Sequence, residues 1–103
     1  MVSAIDRLWN NLAAWSDATF GTAIERGPRG PLKHLRKEAR EALVEPHDVT
    51  EYADCLMLTL DAARRAGFSF DQVVAAAEQK LEVNRTRIWT RPMCDEPSEH
   101  VRA

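Results

Sequence analysis

Glu38-Ala39-Arg40-Glu41 and Glu51-Tyr52-Ala53-Asp54 place two acid pairs of equal spacing on either side of a short break, Glu45-Pro46-His47-Asp48. On a helix the i, i+3 spacing stacks two carboxylates on one face, with Cβ atoms about 5–6 Å apart. A break this short predicts flanking helices that fold back antiparallel and turn those faces toward each other. Glu38, Glu41, Glu51 and Asp54 then share one cleft. Anions held so close repel unless a cation neutralises them, and hard oxygen donors suit Mg²⁺ or Mn²⁺. The stretch reads as a divalent-metal site carried by a helical hairpin.

The same residues admit a plainer reading. Lys37 and Glu41 are also an i, i+4 pair of a solvated helix face. Asp48-Val49-Thr50-Glu51 has the form of a capping box, in which the glutamate reaches back to the helix N-terminus. Spacing alone leaves both readings open; only the duplication of the pair is unusual.

The chain has 103 residues, 45% of them hydrophobic, which suits one small folded domain. A helical domain of this size buries a modest share of its surface and often gains stability by oligomerising. The net charge of -2 argues against a general nucleic-acid or membrane-surface binder. Cys55 and Cys94 form no metal-ligand or disulfide pattern, so both are expected reduced. Residues 1–7 lack a signal peptide's apolar core and no run is long enough to span a bilayer, so a cytoplasmic location is expected.

Helical periodicity recurs outward from the acidic stretch. Ser3 is a suitable N-cap for a helix to about Ala18, with Ile5, Leu8, Trp9, Leu12 and Trp15 on one stripe. Thr19 to Pro31 is a Gly/Pro-rich break carrying Arg26 and Arg29, either a linker or a substrate-contacting loop; it is no Walker loop. The second helix runs from Pro31 to about Val44 with Leu32, Leu35, Ala39, Ala42 and Leu43 apolar, and it sets His34, Glu38 and Glu41 on one face. The third runs from about Asp48 to Ala66 and stops at Gly67, with Val49, Ala53, Leu56, Met57, Leu60 and Ala63 toward the core. Asp61, on the acidic side of that helix, either supports a metal from outside its ligands or pairs with a lysine.

Ser69-Phe70-Asp71-Gln72 forms a capping box for a fourth helix ending near Arg87 or Ile88, with Lys80, Asn84 and Arg87 along one side. That basic stripe contacts phosphates, or pairs with Asp61 or Glu78. Residues 90–103 are polar, proline-bounded and without helical period, and are expected to be mobile or ordered only against a partner. The predicted fold is an all-α bundle of four helices over residues 1–89, followed by a tail over 90–103. Trp9, Trp15, Leu56, Met57 and Leu60 are expected to be buried, but a lone bundle this small leaves part of these stripes exposed for a partner chain to cover.

Several of these blocks together resemble a known family. Ala18-Thr19-Phe20-Gly21, Glu25-Arg26-Gly27-Pro28, the run from His34 to Glu41, Glu51-Tyr52-Ala53-Asp54, the run from Leu60 to Gly67, Lys80 to Asn84 to Arg87-Ile88-Trp89 and Glu99-His100-Val101-Arg102 are similar to the dATP/dGTP diphosphohydrolases, MazG-like all-α enzymes frequent in phages. The resemblance implies Mg²⁺-dependent conversion of dGTP or dATP to the monophosphate and pyrophosphate, in some phage members serving a modified-purine pathway. It implies metal ligands at Glu38, Glu41, Glu51 and Asp54, with Glu38 or Glu41 taking a proton from water. Lys80, Asn84, Arg87, Lys37, His34, Arg26 and Trp89 become substrate-binding candidates, and a dimer or tetramer is expected. Lys37 stands where the broad MazG pattern has a further glutamate, so any role of that acid has no carrier here.

Rival classes make different demands. A non-catalytic interaction module needs no metal and no nucleotide, and a house-cleaning enzyme would act on another nucleoside triphosphate. A ferritin-like di-iron bundle needs Glu-x-x-His pairs. Here the residue three positions on is Glu41 or Asp54.

Overall fold

The computed structural model describes residues 2–92 and 95–101. Their regular structure is α1 (Ala4–Phe20), α2 (Arg29–Val44), α3 (Val49–Arg65) and α4 (Phe70–Thr86), an all-α chain of four helices as predicted.

Each boundary has a local cause. Ser3 caps α1, its Oγ accepting the Asp6 backbone N–H at 3.2 Å. The helix runs past the expected Ala18 to Phe20 and stops at Gly21, whose φ of 98° is a left-handed value that glycine adopts without strain. The second helix opens at Arg29 rather than Pro31. Pro28 takes the N-cap position and its carbonyl accepts from Leu32 N, while Pro31 falls in the first turn, where a missing N–H costs nothing. Asp48 caps α3: its Oδ1 accepts from the backbone N and hydroxyl of Thr50 at 2.9 and 2.7 Å, bonds that hold this carboxyl below its ordinary value. Ala66 and Gly67 close α3, and α4 begins directly after Ser69.

Two compact units part between Phe70 and Asp71. In the first, α3 is central, packing extensively on α2 and less so on α1. The tight turn between α2 and α3 is fastened by the Tyr52 hydroxyl, which donates to Pro46 O at 2.8 Å.

The apolar core of this unit is small and takes in only part of the expected apolar stripes. Leu12, Leu60 and Ala62 are buried, Trp9 and Met57 half-buried, whereas Trp15 is 58% and Leu56 45% exposed. Val49 and Leu43 are still more open. Three short helices shield only the part of α3 that meets both neighbours, and much of that space is filled by polar side chains: Ser16, Asp61 and Arg65 are all buried. Trp15 instead lies at the surface, edge-on to Phe20 at 5.3 Å, while Trp9 packs 5.8 Å from Phe70.

The second unit holds the remainder of α4 and the chain after it. Trp89 Nε1 donates to Asn84 O at 2.8 Å, and Trp89 forms an isolated antiparallel bridge with His100, their rings edge-on at 5.5 Å. The Ser98 hydroxyl donates to Thr90 O. The described part of the segment beyond Trp89 thus turns back on residues 88–90. Cys94 and Arg102 lie outside the described residues. No helix among the described residues is long and apolar enough to cross a membrane.

Candidate functional site

One carboxylate oxygen from each of Glu38, Glu41 and Glu51 lies within 4.8 Å of the others, so the helical hairpin brings acids from both of its arms together. Glu38 and Glu51 are half-buried and Glu41 is exposed. Glu38 Oε1 shares a hydrogen bond of 3.0 Å with His34 Nε2. The second oxygen of Glu38, Oε2, and Glu51 Oε2 are buried with no partner among the described residues. Buried carboxylate oxygens are almost always hydrogen-bonded or paired, so an acidic cluster with two orphans is one that could hold a cation.

The capping-box alternative for Glu51 is not realised. The Asp48 backbone N–H that it would bond is already donated to Glu45 O at 3.1 Å. The Lys37–Glu41 ion pair of the plainer reading is also absent among the described residues, although the charges of Lys37 and His34 act to lower the Glu41 carboxyl. They are outweighed: a hydrogen bond that Glu41 can give Glu38 only when protonated, and then the negative charge of Glu38, push Glu41 above its ordinary value. Burial, followed by the charges of Glu41, Asp48, Asp54 and Glu38, pushes Glu51 up as well. Asp54, half-buried on the next turn, stands outside the close group of three and contributes through its charge.

His34 also lines a cavity of about 800 Å³ in the first unit. Its walls include Phe20, Pro28 and Leu58, with Arg26 and Arg65 supplying cationic groups. Behind the cavity lies a network that sequence reading missed. Asp61 Oδ2 accepts from Ser16 Oγ at 2.7 Å and Arg65 Nε at 3.1 Å, and Oδ1 from Arg64 at 2.9 Å; Arg64 also bonds Asp17 at 2.9 Å. The partner of Asp61 is therefore a pair of arginines and a serine rather than a lysine. Burial alone would raise this carboxyl, but the hydrogen bonds from Ser16, Arg64 and Arg65 outweigh it and hold Asp61 below its ordinary value.

The remaining candidates divide between the units. Arg26 and His34 meet at the cavity, and Arg26 Nη1 donates to Glu25 O at 3.0 Å. Lys37 is exposed on α2. Lys80, Asn84, Arg87 and Trp89 belong to the second unit, where Arg87 Nη1 donates to Asn84 Oδ1 at 3.4 Å and Lys80 is exposed.

A family model described as dATP/dGTP pyrophosphohydrolase matches residues 8–103. The chain is 46% identical over 97 residues to the Eaa protein of Salmonella phage P22, covering 94% of this chain and 30% of that protein. It is 32% identical to the dATP/dGTP diphosphohydrolase of cyanophage S-2L, covering 88% of this chain and 83% of that one. Among solved structures it is similar to a cyanophage S-2L MazG-like pyrophosphohydrolase bound to dGDP and three catalytic Mn²⁺ ions per active site, with a TM-score of 0.75 and 30% identity over 98% of this chain and 100% of that one. The chain thus spans less than a third of the phage P22 relative and most of the cyanophage one.

Proposed function

The chain belongs to the dATP/dGTP pyrophosphohydrolase family, and from that premise we propose that it converts a purine deoxynucleoside triphosphate, dGTP or dATP, to the monophosphate and pyrophosphate. The observation that carries this reading is the pair of buried, unpartnered oxygens of Glu38 and Glu51 in a cluster with Glu41. Glu38, Glu41, Glu51 and Asp54 would hold Mg²⁺ or Mn²⁺. When bound, such ions supply Lewis acidity and neutralise the charge of the triphosphate.

The protein's own residues do the rest. Water attacks the α-phosphorus, the bond to the bridging oxygen breaks, and pyrophosphate leaves. A carboxylate of the cluster, Glu38 or Glu41, takes the proton of that water. His34 orients Glu38 through their 3.0 Å hydrogen bond, leaving the other oxygen of Glu38 for the cation. The nucleoside end enters the cavity that His34 also lines, where Phe20, Pro28 and Leu58 offer apolar surface and Arg26 a polar contact. For Lys37, Lys80, Asn84, Arg87 and Trp89, a role in binding substrate is carried by the sequence resemblance alone.

The enzyme works in the cytoplasm of a bacterial host as a homodimer or homotetramer, a reading supported by the exposed apolar residues Trp15, Leu43, Val44 and Val49. Light scattering of a fully active sample tests the assembly, and the mass of a single chain refutes it. The activity is tested with the four dNTPs and Mg²⁺, scored for monophosphate and pyrophosphate. Purine dNTPs should give both products; nucleoside diphosphate with inorganic phosphate, or no product, overturns the proposal.

A further inference from the structure

Arg65 is the most heavily bonded side chain described in the first unit. Only 1% of its side chain is exposed, and Nε is given to Asp61. The remaining nitrogens reach across to the segment joining α1 to α2. Nη2 donates to Gly21 O at 2.8 Å, and Nη1 to Arg26 O at 2.9 Å and Thr22 O at 3.3 Å. Nη2 also bonds Ser16 Oγ at 2.8 Å and Ser16 O at 3.3 Å.

These bonds are unusual in what they hold. The segment from Gly21 to Pro28 has no regular structure beyond a turn, and Ile24 at its apex is 99% exposed, so no apolar burial ties it down. Within the segment, Glu25 Oε1 accepts from Thr22 N and Oγ1 and Arg26 N bonds Thr22 O, while its two ends only continue the flanking helices, Gly21 N bonding Asp17 O and Pro28 O accepting from Leu32 N. The guanidinium thus joins both ends of the turn to α3. Arg26, Gly27 and Pro28 of this segment, with Arg65 itself, line the cavity.

We propose that Arg65 is a positioning residue for substrate: it fixes the segment 21–28 as a wall of the nucleoside cavity without forming part of the metal site. This rests on the function proposed above. Asp61 serves the same end by holding the Arg65 guanidinium in place through its bond to Nε. A lysine cannot replace the fork, because one ammonium lacks the planar set of donors that reaches four carbonyls and a carboxylate together.

The test compares Arg65→Lys with Ser16→Ala, which removes one partner of the network and none of the bonds to the segment. Arg65→Lys should raise KM about tenfold, the scale of losing hydrogen bonds to a charged donor, with kcat within about twofold. Mn²⁺ binding in the absence of nucleotide should be unchanged, and amide exchange should accelerate in residues 21–27 and not along α2. Ser16→Ala should leave KM alone. An unaltered KM in Arg65→Lys, or equal changes of KM and kcat in both variants with faster exchange throughout, overturns the proposal. Should Arg65→Lys fail to fold, Glu25→Ala loosens the same segment from its exposed side; a raised KM supports the proposal and an unchanged one overturns it. If the unaltered protein hydrolyses no dNTP, the functional reading has failed instead. Exchange then decides alone, and only acceleration confined to residues 21–27 preserves the role of Arg65.

Discussion

Asp61 and Glu51 both stand on α3 and both are shielded from water, yet their carboxyls are driven in opposite directions. Asp61 is lowered because Ser16, Arg64 and Arg65 satisfy it. Glu51 is raised because it is buried among other acids, with one oxygen unbonded. A buried ionic group that has its partners is finished structure. One that lacks them, repeated on a facing helix, stores repulsion that binding of a cation releases.

Breaking the finished cluster should give the largest effect on stability. Asp61→Ala leaves the buried Arg65 with only Asp17, 3.8 Å away, as counter-charge and should cost about 3–5 kcal/mol in chemical denaturation. A loss no larger than that of an exposed substitution would show that the network is ornamental.

Breaking the unfinished cluster should abolish function instead. Glu51→Gln keeps the shape but removes the charge, and should lower turnover by about a hundredfold or more, since even residues that only orient metal ligands are worth 10–100-fold. Its fold, followed by circular dichroism, should survive. Full activity in this variant would remove Glu51 from the site.

The smallest effect is the sharpest. Glu41 is raised from 4.5, so its contribution to stability is present below that pH and is lost as pH rises through the folded value. Without metal, Glu41→Gln should therefore melt slightly above the unaltered protein at pH 7, and the gap should shrink toward pH 4. With millimolar Mn²⁺ the order should reverse, because only the complete cluster gains from binding. Asp61, lowered from 3.8, contributes with the opposite sign: its share is present above that value and fades as pH falls below it. Melting curves across this range separate the two. A gap independent of both pH and metal would refute the contrast.

The sequence made one cluster far more legible than the other. Glu38, Glu41 and Glu51 were readable because their spacing is local and the Glu45–Asp48 turn is short, so helix geometry alone brings them together. Asp54 was expected as their equal, but it sits outside the close group. The Ser16–Asp61–Arg65 network was hidden: its partners lie 45 and 49 residues apart, and Arg65 reads as an ordinary cation in the last turn of a helix. How much of the apolar stripes one chain covers was not legible either. Periodicity marks an apolar stripe on α3, but which part of it is covered depends on where α1 crosses, and polar residues there left Trp15 and Leu56 exposed.

The cap at Asp48 has a consequence for how this chain can vary. Because α3 is anchored at that residue, every position after it is set by helical phase: one residue inserted between Asp48 and Glu51 would turn the rest of α3 by about 100° and advance it about 1.5 Å. That shift would carry Glu51 away from Glu38 and Glu41, and with it Asp61 and Arg65 away from Ser16. The interval from Asp48 to Arg65 is therefore a ruler, free to change in composition at its exposed positions and closed to any change in length.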